Sequence, residues 1–120
     1  MIYVVGKDPS VRDALVRLMQ SAKLPVQLYP LSKETPPTKQ FSKSDCVVIE
    51  GYEDDGDDLE FMRQLKESGS DTSVIILAQN DNHESRIKAR RLGAAGFFLK
   101  PVDGQALLDA VRFEISNQNT

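Results

Sequence analysis

The 120 residues hold only one cysteine, Cys46, and one histidine, His83. A single thiol cannot close an internal disulfide, so no framework of that kind can support the fold. Cys46 opens the run Cys46-Val47-Val48-Ile49 and reads as an interior strand position, where apolar surroundings make a thiol inert. His83 stands before a helical stretch with no serine or cysteine partner at a strand end, which leaves nucleophilic catalysis without support. Long apolar runs are missing too. None approaches the roughly 18 residues of a membrane span, and Met1-Ile2-Tyr3-Val4-Val5 lacks the basic flank and cleavage signal of a secretory peptide, so a cytoplasmic chain with no membrane contact is expected. There is no internal repeat and no low-complexity tract beyond one acidic loop.

What is present is the material of one ordinary domain. A content of 40% hydrophobic and 28% charged residues argues against disorder and against a fibrous protein. The length suits a single core over residues 1–120 that needs no staples. The net charge of -3 is unevenly spread: seven of the 18 acids fall within residues 50–60, with no base among them, leaving 11 acids against 15 bases elsewhere. That balance is too slight to mark a nucleic-acid surface.

Short apolar runs alternate with amphipathic helical stretches, the pattern of a parallel sheet covered on both faces. Ile2 to Val5 is the first strand; Asp8-Pro9 then supplies a cap with proline at the first helical position. Val11, Ala14, Leu15, Leu18 and Ala22 recur at helical spacing. Pro25 to Tyr29 predicts an outer second strand between two prolines. The second helix, within Leu31 to Ser44, is expected to be short or irregular, because an interior proline costs about 3 kcal/mol and Pro36-Pro37 lie in its middle. Asp45 to Glu50 is a buried strand, followed by a helix with Leu59, Met62 and Leu65 in register. Ser73 to Ala78 is the fourth strand and residues 82–92 the fourth helix, stopped by Gly93. Phe97 to Leu99 is the fifth strand, and Asp103 caps a last helix carrying Leu107, Leu108, Val111 and Ile115.

In an open parallel sheet the functional crevice lies beyond the carboxyl ends of the strands. Those ends deliver Gly6, Lys7 and Asp8; Glu50 and Gly51; Ala78, Gln79 and Asn80; and Lys100-Pro101. Together with Val4-Val5-x-x-Asp8-Pro9-Ser10-Val11-Arg12 and Gly93-Ala94-Ala95-Gly96-Phe97-Phe98-Leu99-Lys100-Pro101, they make the chain resemble receiver domains of response regulators along nearly its whole length. The opening and the last helix look closest to receivers of nitrogen-fixation-type transcriptional regulators. The resemblance implies a flavodoxin-like (βα)5 doubly wound sheet of order 2-1-3-4-5.

A working receiver of that family has an acidic pair after strand one for Mg²⁺, an aspartate nucleophile after strand three, a hydroxyl after strand four and a lysine after strand five. Only the lysine, Lys100, is retained. Gly6 and Lys7 stand at the acidic pair, where an ammonium repels a metal that wants carboxylate oxygen. Asp8, one residue beyond, is better suited to capping the helix. Glu50 stands at the phosphoacceptor position with one methylene too many, and Ala78 lacks the hydroxyl that would bond the phosphoryl group. Glu50 is then a fixed anion that mimics a phosphorylated aspartate or a structural carboxylate paired with Lys7 and Lys100, since unpaired buried charge is costly. Phe97 aligns with the aromatic whose rotamer reports phosphorylation in related receivers; with alanine at residue 78, a core-edge aromatic is the plainer role.

Acids in Glu53-Asp54-Asp55-Gly56-Asp57-Asp58 favour a helix N-terminus, and they lack the spacing of a calcium loop. Arg86, Lys88, Arg90 and Arg91 on the fourth helix against Asp109 and Glu114 on the last suggest the homodimer face of the family, made by the fourth helix, fifth strand and fifth helix. The expectation is an atypical receiver: no enzyme, no catalytic residue, no metal and no cofactor, signalling by protein contact and dimerisation. Its partner would be a histidine kinase or a regulatory protein, with nucleic acid reached only through a separate output domain. The alternative is a conventional switch phosphorylated on Glu50 or on Asp54 or Asp55. A flavin-binding reading fails because Gly6-Lys7-Asp8-Pro9 puts proline where a phosphate loop needs a backbone donor.

Overall fold

A computed structural model describes residues 1–6, 8–29, 45–52, 56–67, 72–78, 83–99 and 102–118, with the backbone alone for 51–52, 56–60 and 116–118. Five strands, β1 (Ile2–Val5), β2 (Val26–Leu28), β3 (Cys46–Tyr52), β4 (Ser73–Ala78) and β5 (Ala94–Leu99), form one sheet of order β2-β1-β3-β4-β5. All four pairings are parallel. The described helices are α1 (Pro9–Ser21), α2 (Gly56–Glu67), α3 (His83–Arg91) and α4 (Gly104–Gln118). The stretch where a short or irregular second helix was expected, Leu31 to Ser44, lies outside the described residues.

Strand alternation sorts the core into two layers. Ile2, Val4, Cys46, Val48, Ile75 and Leu77 meet Leu15 and Met19 of α1 and Leu107, Leu108 and Val111 of α4. The intervening Tyr3, Val5, Val47, Ile49, Val74 and Ile76 meet Phe61, Met62 and Leu65 of α2 and Ala89 of α3. Both sheet faces are therefore covered, which is why the central strands read as unbroken apolar runs.

Helix ends follow local chemistry. Asp8, in an extended conformation, accepts a hydrogen bond from the Ser10 N–H at 2.9 Å, and Pro9 follows it at the start of α1. At the other end the Lys23 N–H donates to the Gln20 carbonyl and the Leu24 N–H to the Met19 carbonyl, a Schellman closure with Lys23 at φ 59°. Gly93, at φ 98°, stops α3 as its spacing predicted, and the Asp103 carboxylate caps α4 by accepting from the Gln105 N–H at 3.0 Å.

Three boundaries depart from the sequence expectation. β3 runs on past Glu50 to Tyr52, because Tyr52 still finds a partner in Ala78 across an irregularity at residue 51. β5 starts at Ala94, three residues early, since β4 offers ladder partners from Val74 onward. β2 is trimmed to three residues, although Pro25 still accepts from the Ile2 N–H and Tyr29 still donates to the Val4 carbonyl, each at 3.0 Å.

At the amino ends of the strands, the Met1 ammonium lies 3.4 Å from the Asp45 carboxylate, and Ser73 donates to Glu114 of α4 at 2.8 Å. Cys46 is fully buried beside them. Burial pushes its thiol pKa from 9.0 up to about 12, reinforced by the Glu114 charge and opposed by the chain's amino terminus. The sign follows from linkage: the unfolded thiol ionises at lower pH than the folded one, so this stabilisation is intact below pH 9.0 and is lost as pH rises towards about 12. Urea melts should therefore show the wild type losing more stability than Cys46→Ala across that window, and native Cys46 should stay unreactive towards a thiol reagent until the chain unfolds.

Candidate functional site

The carboxyl ends of β1 and β3 lie side by side, since Val5 is in register with Ile49, which places Gly6 next to Glu50. Glu50 is 3% exposed, and its Oε2 accepts from the backbone N–H of Asp8 at 3.4 Å, at the entry to α1. The Glu50 side chain fills the room that a side chain at residue 6 would need. A Cβ built on Gly6 would lie 2.9 Å from the Glu50 Cβ, and Oε2 is its nearest neighbour. The two departures from the receiver pattern thus compensate sterically: the longer acid is housed where the first member of the acidic pair is absent.

Sequence reasoning treated these as separate losses, and the signal it passed over was volume, one side chain lengthened beside one deleted. Asp8 is confirmed as the helix cap, with its Oδ1 engaged by Ser10. Lys7, Lys100, Pro101, Gln79, Asn80, Asp54 and Asp55 lie outside the described residues, so the lysine cluster around Glu50 rests on the sequence.

Ala78 is 3% exposed and belongs to the layer under α2 and α3. Phe97 packs against that same layer and carries the Arg86 guanidinium over its ring, 5.2 Å from the centroid. That contact escaped the sequence reading, because residues 86 and 97 lie on different elements. Among the expected interface charges, Lys88, Arg90, Arg91 and Asp109 are exposed, with Asp109 accepting from Gln105 at 2.9 Å on the same helix. Glu114 is a correction. It is half-buried and turned to Ser73, so it does not join Asp109 as a surface charge facing α3. His83, expected just before a helix, is the first residue of α3 and is exposed.

The Mg²⁺ that the fold family implies needs carboxylate oxygens at the end of β1. The described residues do not fit it: Gly6 offers no ligand, Asp8 is spent on the helix cap, and Glu50 is folded into the vacated space. No group of three acidic, histidine or cysteine side chains among the described residues could hold a metal ion.

A family profile described as "Response regulator receiver domain" matches residues 2–112. The response regulator protein TodT of Pseudomonas putida is 29% identical over 112 residues, covering 93% of this chain and 49% of TodT. The transcriptional regulatory protein FixJ of Azorhizobium caulinodans is 27% identical over 111 residues, covering 92% of this chain and 53% of FixJ. The crystal structure of full-length FixJ from B. japonicum superposes with a TM-score of 0.79 at 26% identity, over 98% of this chain and 58% of that one. With the sheet order and helix placement described above, this chain belongs to the response regulator receiver family. It spans about half the length of these curated relatives. No helix among the described residues is long and apolar enough to cross a membrane.

The Gly6–Glu50 packing is open to a double-mutant cycle. Gly6→Ala should destabilise the domain by about 1–3 kcal/mol through overpacking. The cost should shrink in a Glu50→Ala background, where the closest contact is gone; equal costs in both backgrounds by urea unfolding would mean that the two positions are independent.

Proposed function

We propose that this receiver works without phosphorylation, as a protein-interaction and dimerisation module of a two-component-type system, regulating transcription through an output domain or a partner protein. It carries out no reaction of its own and needs no metal or cofactor. The observation that supports this most directly is the seat of Glu50. Its carboxylate is buried, takes the space of the missing acid and accepts from the Asp8 amide, so the place of a metal ligand is filled by the side chain at the phosphoacceptor position. Ala78 supplies no hydroxyl to draw Phe97 inward, and Arg86 holds Phe97 from outside. In this reading a permanent anion at residue 50 takes the place of a transient one. Its partner would be a histidine kinase or another regulatory protein, and nucleic acid would be met only by a separate output domain.

Incubation with acetyl phosphate and Mg²⁺, followed by intact mass, should give no phosphoryl adduct while a phosphorylatable receiver treated in parallel is modified. A stable adduct on Glu50 or a loop aspartate would restore the conventional switch.

The dimer half of the proposal uses α3, β5 and α4. Ile87 on α3 is 37% exposed and Phe113 on α4 is 64% exposed, apolar surface beside Arg91 and Asp109. In a two-fold pair each Arg91 would meet the Asp109 of the other copy. Sedimentation should reveal a concentration-dependent dimer that Arg91→Glu or Asp109→Arg abolishes and the combined reversal recovers; a monomer at every concentration would remove this interface.

A further inference from the structure

Among the described helices, α3 has the least apolar anchorage: of its nine residues Ser85 and Ala89 are the buried ones, and both are small. A helix this short does not hold itself in water, so its place depends on what its neighbours supply. On the same sheet face α2 is held differently, by the buried side chains of Phe61, Met62 and Leu65.

The last turn of α3 shows what α2 supplies. The Leu92 N–H donates to the Lys88 and Ala89 carbonyls and the Gly93 N–H to the Arg90 carbonyl, and Gly93 at φ 98° then turns the chain away. The Arg91 carbonyl is one of the acceptors that a helix end leaves without a donor of its own. It accepts instead from the Lys66 ammonium at the end of α2, at 3.0 Å and across 25 positions of sequence. An ammonium at that end of a helix is favoured by its charge and by the direction of the helix dipole. Lys66 is exposed, so this bond can open to water without disturbing the core.

We propose that Lys66 is a latch on α3. While its ammonium holds the Arg91 carbonyl, the carboxyl end of α3 is fastened to the better anchored α2; when it lets go, that end of α3 opens locally and the sheet stays folded. Ile87, Arg90 and Arg91 belong to α3, so the latch sets the shape of the surface these side chains offer. Such a device needs no phosphate and no residue of the Glu50 crevice. The inference deepens the proposed function and rests on it only in taking α3 as part of a contact surface; the latch itself is tested without that surface.

The test is native-state amide hydrogen exchange followed by NMR, in an Asp109→Arg background where the proposed dimer gives no protection. Lys66→Met keeps the length of the side chain and removes its charge. It should speed exchange at Lys88 to Arg91 about fivefold, the effect of one net hydrogen bond, while the locally opening amides of α1 and α4 keep their rates. Lys66→Arg, which retains a charged donor, should restore the original protection. Unchanged exchange in α3, a rise of the same size in α1 and α4, or no rescue by Lys66→Arg would overturn the latch. Sedimentation of the chain with Asp109 intact reports on the dimer separately, so either idea can fail alone.

Discussion

A buried carboxylate has to be housed and hydrogen-bonded, and in this chain the housing of Glu50 joins the carboxyl ends of β1 and β3. The side chain takes the volume above Gly6 and accepts from the Asp8 amide, joining β3 to the entry of α1. That arrangement leaves little room for a side chain at residue 6, while the Asp8 carboxylate caps α1 through the Ser10 N–H. The glycine at residue 6 and the longer acid at residue 50 are packed against one another. They form a packed unit whose parts suit one another.

The sheet makes this possible. A parallel sheet buried on both faces leaves only its strand ends for polar chemistry, and β1 and β3 are neighbours there. The same architecture leaves β5 at an edge, where helix α3 stands over it. That edge contains an aromatic held by an arginine, a bulge at Ala95 and a second arginine one turn on.

Much of this was legible in the residues. The alternation of apolar runs with helical spacing predicted the five strands and their order through the family likeness, and Asp8, Gly93 and Asp103 marked helix ends by chemistry that acts within one turn. The burial of Cys46 followed from its apolar neighbours. What was misplaced depended on partners far along the chain. β3 continued to Tyr52 and β5 began at Ala94 because β4 supplied ladder partners for them, and Glu114 turned inward because Ser73 lay beneath it.

By itself, the sequence determined the fold class, the five strands of the sheet and the chemical losses at the crevice, because periodicity, caps and missing functional groups are local properties of the chain. Only the tertiary structure decided that Glu50 replaces the side chain missing at Gly6, that Arg86 clasps Phe97, and that Lys66 reaches the Arg91 carbonyl. Those are contacts between elements distant in sequence, and van der Waals volume and hydrogen-bond geometry act on distances in space, which only the packed sheet and its helices define.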